Sequence, residues 1–299
     1  MKPAKFRYVR AERAEHAVEL LGTDRPSARL LAGGQSLIPA LSSRSVTASL
    51  LIDIMRCPDL DHISLMPGKV AIGAACRQSD VESSPLARRS LPLLCEALGW
   101  VAMPQIRSRG TVVGCLAQAN PGGEVPVVAL ALDAEVDILL GGGVRTRMTA
   151  REFYAVETST QLPAGALIRS AFFRAISAGE GWGFCEVQLR PGHFALVCCA
   201  ASMGLNRFGT VASATIAVGG LSANPYRAAR AEKAMIGQPA SANLFREAAY
   251  IASEECPWQP RTDLHTTGTF RLRASSGAVA AALRDAWSRC SPETGESAR

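Results

Sequence analysis

Two short segments place glycines beside a hydroxyl side chain in otherwise apolar surroundings. The first covers residues 32–36 (AGGQS), and the second covers residues 110–114 (GTVVG). Glycine lets the backbone approach a bulky anion closely, and successive backbone N–H groups can form a concave site for phosphate oxygens. The hydroxyls of Ser36 and Thr111 can each donate a further hydrogen bond. If the fold brings the two segments together, they suit a pyrophosphate group.

Each segment is also compatible with an ordinary tight turn, because glycine is a usual residue of turns at strand ends. Neither matches the phosphate-binding loop G-x-x-x-x-G-K-[ST] or the dinucleotide fingerprint G-x-G-x-x-G. The sequence therefore disfavours NAD binding on a parallel sheet of the Rossmann type. A phosphate site of another kind and a purely structural pair of turns both remain open at this point.

The other chemistry-bearing residues show no local motif for catalysis or metal binding. The nine cysteines are an odd number with no C-x-x-C spacing, and the four histidines are far apart in the sequence. This pattern is not typical of a disulfide framework, an iron–sulfur cluster or a zinc site. We find no nucleophile elbow and no local catalytic triad. We therefore expect reduced, mostly buried thiols, no metal ligand and no catalytic side chain.

The composition is that of a well-packed globular protein. The 299 residues are 48% hydrophobic and 19% charged, and the net charge of +6 is scattered along the chain. Aromatic residues make up only 6%, and no basic stripe or known module is present, so nucleic acid is not an expected partner. There is no run of about 18 apolar residues that could span a membrane. The charged N-terminal segment lacks an apolar signal core, so we expect a cytoplasmic location.

The elements around the two segments must position them. Residues 28–43 predict a strand, a glycine turn and a short helix, and the second segment is likewise expected between a strand and a helix. Ser79 and Glu82 have the spacing of a helix capping box. Residues 86–102 are expected to form one helix, and residues 136–150 are expected to form a hairpin around three glycines.

The chain divides into two predicted regions. Residues 1–175 alternate strands and helices, whereas residues 176–290 contain a short antiparallel sheet followed by Ala-rich helices. Residues 291–299 are polar and are expected to form a tail.

Seven segments follow one another along the chain in a characteristic order. They are AGGQSLIP (32–39), LIDI (51–54), AIGAACRQSDVE (71–82), IRSRGTVVGCLAQANPGGEVP (106–126), GFCEVQLRPGHFALV (183–197), TIAVGGLSANPYRA (215–228) and DLHTTGTFR (263–271). In residues and order these segments resemble the FAD-binding medium subunit of molybdenum hydroxylases, the family of carbon monoxide dehydrogenase and xanthine dehydrogenase flavoproteins. The resemblance implies an α+β fold: a two-subdomain FAD-binding domain of the vanillyl-alcohol oxidase-like (PCMH) type, then a small antiparallel sheet with a helical bundle.

The resemblance also implies which residues contact the cofactor. Members of the family hold the FAD pyrophosphate between the two glycine segments, place a carboxylate on a cofactor hydroxyl, cover the adenine with apolar side chains and have one strand near the isoalloxazine ring. The corresponding residues are Ala32, Gly33, Gly34, Gln35, Ser36, Thr111, Val112, Val113, Gly114 and Cys115 for the pyrophosphate, Glu124 for the hydroxyl, Leu167 and Ile168 for the adenine, and Phe184 and Glu186 for the ring, with Leu37 and Val101 completing the predicted cofactor-binding set.

This sequence departs from the family pattern at four of these positions or near them. Val113 replaces a glycine, and a β-branched residue does not readily adopt a positive φ. Either the backbone is ordinary there or FAD is held less tightly. Cys115 stands where Asn or Ser is common, His193 where Asp is usual, and Leu189 where Arg is frequent.

The resemblance implies an oxidoreductase subunit that transfers electrons. It would take electrons from a small [2Fe-2S] subunit, beside a large subunit with the molybdenum cofactor, and pass them from FAD to NAD, oxygen or a quinone-linked carrier. The alternatives are a stand-alone flavoprotein oxidoreductase and a degenerate FAD-binding structural module. A protein that binds a nucleotide other than a flavin is a third interpretation.

Overall fold

A computed structural model describes residues 2–23, 27–156 and 160–290. The first elements form a three-stranded parallel sheet in the order β1-β3-β2, in which β3 is central and pairs with both neighbours. Leu50, Leu51 and Ile52 of β3 are buried, as expected for a strand covered on both faces. The elements are β1 (Arg7–Arg10), α1 (Ala14–Thr23), β2 (Ala28–Leu31), α2 (Leu37–Ser43) and β3 (Leu50–Asp53).

A second, five-stranded sheet follows in the order β4-β5-β8-β6-β7, and all its pairs are antiparallel. A group of short helices lies between its second and third strands in the sequence. The elements are β4 (Ile63–Met66), β5 (Lys69–Gly73), α3 (Gln78–Ser83), α4 (Pro85–Ser90), α5 (Pro92–Trp100), α6 (Pro104–Arg107), α7 (Val112–Gln118), α8 (Glu124–Ala131), β6 (Glu135–Leu139), β7 (Arg145–Thr149), α9 (Ala150–Phe153) and β8 (Leu167–Arg174).

The remaining elements form a four-stranded antiparallel sheet in the order β12-β11-β10-β9, with three helices after it. They are β9 (Gly181–Val187), β10 (Val197–Leu205), β11 (Val211–Gly219), β12 (Tyr226–Arg227), α10 (Ala229–Met235), α11 (Ala242–Glu254) and α12 (Gly268–Arg289). The mixed α+β fold predicted from the sequence is confirmed.

The two faces of the last sheet belong to different cores. Phe184 and Cys198 point to the main core, which also contains α5 and α8, whereas Cys185 and Cys199 face the core shared with the C-terminal helices. Successive side chains of a strand point to opposite faces, so one sheet can connect both cores. All eight residues of α8 are buried, so this helix lies inside the molecule rather than on it.

A helix that spans a membrane must be both long and apolar. Within residues 2–23, 27–156 and 160–290, no helix combines the length and apolar character needed to cross a bilayer. The predicted tail, residues 291–299, lies outside the described part of the chain.

Three local predictions were wrong. Helix α3 begins at Gln78 after an extended Arg77, because Arg77 pairs with Thr111 in an isolated β-bridge, so Ser79 is not its cap. The predicted helix over residues 86–102 is two helices separated at Leu91, where the following proline disfavours helical backbone. The second glycine segment follows a short helix, α6, rather than a strand, and its last three residues begin α7.

The cap that the structure does contain gives a direct test of this correction. The Ser84 side chain accepts a hydrogen bond from the backbone N–H of Ala87 at 3.3 Å at the start of α4. We expect S84A to lower the free energy of unfolding by about 1 kcal/mol, and S79A to change it by less than about 0.5 kcal/mol. Urea unfolding of both variants measures the difference. A larger loss in S79A than in S84A would contradict the assignment.

Candidate functional site

The two glycine segments lie against each other, backbone to backbone. A Cβ atom added to Gly33 would lie 2.2 Å from the carbonyl oxygen of Arg109 and 2.6 Å from the Cα of Gly110. Neither distance leaves room for any side chain at Gly33. The next residue, Gly34, has a φ of +73°, which side-chain-bearing residues rarely adopt. The first segment therefore needs both glycines, one for the close approach and one for its backbone conformation.

The second segment turns directly into helix α7. Thr111 is the N-cap, and its Oγ1 accepts a hydrogen bond from the Gly114 N–H at 3.0 Å. The Thr111 hydroxyl hydrogen remains able to donate to a ligand. Val113 lies in the first helical turn and does not have a positive φ. Of the two possibilities raised for Val113, the structure therefore supports an ordinary backbone.

Residues 76–78 hold the second segment in place. The Gln78 N–H donates to the Gly110 carbonyl at 2.8 Å, and the Val112 N–H donates to the Cys76 carbonyl at 3.4 Å. The Gln78 side-chain amide donates to the Cys115 sulfur at 2.9 Å. Burial, with a smaller contribution from Glu124, raises the pKa of the Cys115 thiol to about 12. Cys115 is therefore a neutral thiol whose sulfur acts as an acceptor.

A cavity of about 360 Å³ opens beside the contact between the segments. Its volume lies in the range of ligand sites, about 300–1,000 Å³. All but three of the residues predicted to bind a cofactor line it: Ala32, Gly33, Gly34, Gln35, Ser36, Leu37, Val101, Thr111, Val113, Gly114, Cys115, Glu124, Leu167 and Ile168. The structure thus brings together residues from four separate parts of the chain.

Three predicted residues lie outside the cavity lining. Val112 is fully buried in the first turn of α7. Phe184 is in the main core, where its ring centroid lies 6.4 Å from that of Trp100. Glu186 is buried on the same face of β9. Their assignment to cofactor binding stays a prediction.

The cavity also contains residues that sequence reasoning missed. Examples are Arg29, Gln78, Ile106, Asn120 and Phe194. Gln78, Ile106, Asn120 and Phe194 belong to segments that resemble the family, so membership in those segments was the available signal. Arg29, at the start of β2, lies outside all of them.

Glu124 is the acidic group of the cavity wall. It is the first residue of α8 and is only 4% exposed. Burial raises the pKa of its carboxyl to about 7, and a hydrogen bond from its own backbone N–H acts in the opposite direction. The positive end of the helix dipole also favours the ionised form. Glu124 therefore changes its charge near neutral pH and, when ionised, is a strong hydrogen-bond acceptor.

Glu186 is a second buried acid close to the first. It lies on β9 directly opposite Cys198 of β10. Within the described residues, both of its carboxyl oxygens are buried without a hydrogen-bond partner. Burial, with a smaller contribution from the charge of Glu124, raises the pKa of the Glu186 carboxyl to about 9. At neutral pH Glu186 is therefore a neutral carboxylic acid.

Side chains that could ligate a metal are not clustered in the described part of the chain. Residues 2–23, 27–156 and 160–290 contain no group of three or more His, Cys, Asp or Glu side chains arranged to hold an ion.

Comparison with family models covers most of the chain. Residues 4–173 match the FAD binding domain in molybdopterin dehydrogenase, and residues 182–286 match the CO dehydrogenase flavoprotein C-terminal domain. The chain belongs to this flavoprotein family. The cofactor of this flavoprotein is FAD, and the chain is an oxidoreductase component, as the resemblance implied.

The similarity of this flavoprotein to individual relatives extends over nearly the whole chain. It is 35% identical to the 6-hydroxypseudooxynicotine dehydrogenase complex subunit alpha of Paenarthrobacter nicotinovorans, over 98% of both chains. It is 31% identical to the carbon monoxide dehydrogenase medium chain of Hydrogenophaga pseudoflava, over 97% of this chain and 100% of that one.

Solved structures agree with the fold. The carbon monoxide dehydrogenase of Hydrogenophaga pseudoflava that lacks the Mo-pyranopterin moiety matches with a TM-score of 0.93 and 33% identity, over 97% of this chain and 100% of that one. Quinoline 2-oxidoreductase from Pseudomonas putida 86 matches with a TM-score of 0.90 and 29% identity, over 96% and 99%.

The contact at Gly33 can be tested with one methyl group. G33A places a Cβ against the backbone of Arg109, so the two segments must separate, and we expect the purified chain to lose most of its FAD. We also expect a loss of about 1–3 kcal/mol of stability, as for other overpacked sites. The control is G277A, because a Cβ at Gly277 in α12 meets nothing within 4 Å. FAD content and urea unfolding measure both effects, and full FAD retention in G33A would contradict the clamp.

The buried acid Glu186 predicts a specific dependence of stability on pH. An unfolded Glu has a pKa of about 4.3, whereas the folded pKa of Glu186 is about 9. Between these values the unfolded chain has released a proton that the folded chain keeps, so stability falls as pH rises. We expect E186Q to remove this dependence, so that it is more stable than the unmodified chain near pH 8 and nearly equal near pH 4.5.

The measurement is urea unfolding of both proteins at the two pH values. E247Q is the matched control, because Glu247 is exposed on α11. Its difference from the unmodified chain should be the same at both pH values. Parallel profiles for E186Q and the unmodified chain would show that Glu186 is ionised in the folded state.

Proposed function

We propose that this chain is the electron-transfer flavoprotein subunit of a molybdenum-hydroxylase type complex. It would take electrons from iron–sulfur clusters of a partner subunit and pass them, through FAD, to an external acceptor. The observation that carries the proposal is the backbone contact between the two glycine segments at the edge of one cavity. The contact brings both segments to one cavity, which is the arrangement that a diphosphate held between them requires.

The residues at the cavity fit FAD. Gly33 and Gly34 line the cavity with backbone rather than side chains, and the hydroxyls of Ser36 and Thr111 can donate to phosphate oxygens there. The Ser36 side chain makes no capping hydrogen bond to α2, so its hydroxyl is not used there. In this proposal Gln35, Leu37, Val101, Val113 and Cys115 complete the walls around the phosphates and ribityl chain.

Other residues would hold the two ends of the cofactor. Leu167 and Ile168 would cover the adenine with apolar atoms, and Glu124 would accept a hydrogen bond from a cofactor hydroxyl. Phe184 and Glu186 would lie at the ring end, where both carboxyl oxygens of Glu186 still lack a partner in the described chain. FAD itself supplies the electron-carrying ring. The side chains bind it, orient it and set the charge around it.

We propose the same division of the chain as the sequence suggested, with residues 1–175 forming the FAD-binding domain and residues 176–290 the C-terminal flavoprotein domain. The two family matches, 4–173 and 182–286, support this boundary. The continuous main core across β9 and α8 implies that the two parts are packed as one body.

The partners follow from the kind of protein that this chain is similar to. Its relatives include a subunit of a dehydrogenase complex and two medium chains of carbon monoxide dehydrogenase. We propose a large subunit with the molybdenum cofactor and a small subunit with [2Fe-2S] clusters as partners. NAD, oxygen and a quinone-linked carrier are the candidate acceptors.

The complex can be tested by purifying the tagged full chain from its own cells. We expect one FAD per chain and two additional chains that carry molybdenum and iron. When the small subunit is reduced and mixed anaerobically with this chain, the flavin absorbance near about 450 nm should bleach. The FAD-depleted G33A variant is the control, because it can dock without a flavin to reduce.

The alternatives give different results in the same experiment. A chain that purifies alone with FAD and is not reduced by an iron–sulfur partner would be a stand-alone flavoprotein. A chain that joins the complex without any flavin would be a structural module. A bound nucleotide without flavin absorbance would support the third interpretation.

A further inference from the structure

Arg271, in the C-terminal helix α12, is a buried cation with a defined set of partners. It is only 2% exposed and is among the largest fully buried side chains. Its Nη1 group donates to the carbonyl oxygens of Leu196 and Gly220, the second at 2.8 Å. Its Nη2 group donates to the Asp263 carboxylate at 2.6 Å. The guanidinium therefore joins α12, the loop before it and two strand ends.

The two carbonyl acceptors belong to chain segments that cross at very short distance. Leu196 precedes β10, and Gly220 follows β11 with a φ of +79°. A Cβ added to Gly220 would lie 2.3 Å from the Leu196 carbonyl oxygen. Nη1 of Arg271 donates to the carbonyl oxygens of both residues, so it ties the two segments together where they approach each other closely.

These strand ends also hold the turn at the cavity. The Gly220 N–H donates to the Pro121 carbonyl at 2.7 Å, and the Ala195 N–H donates to the Gly122 carbonyl at 3.2 Å. The turn continues through Gly123, the N-cap of α8, to Glu124. A chain of direct contacts thus runs from Arg271 to the acidic wall of the cavity.

Stability alone does not account for a buried arginine at this position. Burial lowers the pKa of the Arg271 guanidinium, which means that the charged form is disfavoured there, although Asp263 opposes the shift. The Nε atom has no hydrogen-bond partner within the described residues. A buried ion pair is often no more stable than well-packed apolar side chains of the same volume. The arginine instead orients its partners, because Nη1 donates to both carbonyl oxygens while Nη2 donates to the Asp263 carboxylate.

We propose that Arg271 is a positioning residue of the cofactor cavity: it fixes the turn at residues 120–123 and, through it, the place of Glu124. This inference rests on the proposed binding of FAD in the cavity. It also makes helix α12 part of the cofactor site, although α12 contributes no residue to the cavity lining within the described chain.

The first test uses the ligand-free full chain and does not depend on FAD. The variants are R271M, which keeps an unbranched apolar stem without the guanidinium, and D263N, which removes the partner charge. R273M is the matched control, because Arg273 is exposed on the same helix. We expect the Gly220 and Ala195 amides to exchange hydrogen about tenfold faster in R271M and unchanged in R273M. Unchanged exchange in R271M would overturn the positioning role.

The second test measures FAD affinity and asks whether Arg271 acts through Glu124. We expect R271M and E124Q each to weaken FAD binding by about tenfold, and the double variant to be no weaker than either single one. R271K, which keeps the charge but loses the fork, should recover only part of the affinity. Fully additive losses, or normal affinity in R271M, would overturn the proposal.

The two tests separate this inference from the proposed function. If the unmodified chain and R273M bind no FAD, the proposed function fails, while the exchange experiment still decides whether Arg271 holds the turn. If R271M does not fold, D263N and R271K carry the same comparison, because each removes only part of the network.

Discussion

The backbone contact between Gly33 and residues 109–110 is the constraint on which this site depends. At 2.2 Å from a hypothetical Cβ to the Arg109 carbonyl, the fold leaves no room for a side chain at this point. The first segment follows β2 of the parallel sheet. The second segment is held by hydrogen bonds to residues 76–78, which follow β5 of the antiparallel sheet. Each sheet therefore contributes one side of the same cleft, and the cleft exists only where the two meet.

A second feature of the structure is a pair of buried carboxyl groups, Glu124 and Glu186. Glu124 begins helix α8, which packs on β10 and β11, and Glu186 lies on β9 beside β10. Each carboxyl has a raised pKa because burial penalises its ionised form. Two acids placed near one another cannot readily both be ionised. The structure therefore keeps one neutral acid and one acid that titrates near neutral pH.

Both regions of the chain contribute residues to the cavity or its surroundings. The N-terminal part supplies the glycine segments and most of the cavity wall, whereas the loop before β10 supplies Phe194 and strand β9 supplies the buried Glu186. The main core runs continuously through β9, β10 and α8. Both parts of the chain therefore contribute residues at or near the cavity.

The sequence by itself determined the glycine segments, their hydroxyl partners, most strands and the family to which the chain belongs. These features depend on residue type and local spacing, so they are visible without coordinates. Only the tertiary structure decided that Ser79 is not a cap, because the Arg77–Thr111 bridge moves the start of α3. It likewise decided that Val113 has an ordinary helical backbone, that Gln78 and Phe194 reach the cavity, and that Glu186 is an unpartnered acid. The reason is that burial, pKa shifts and close backbone approach are set by residues distant in the chain, which local patterns do not encode.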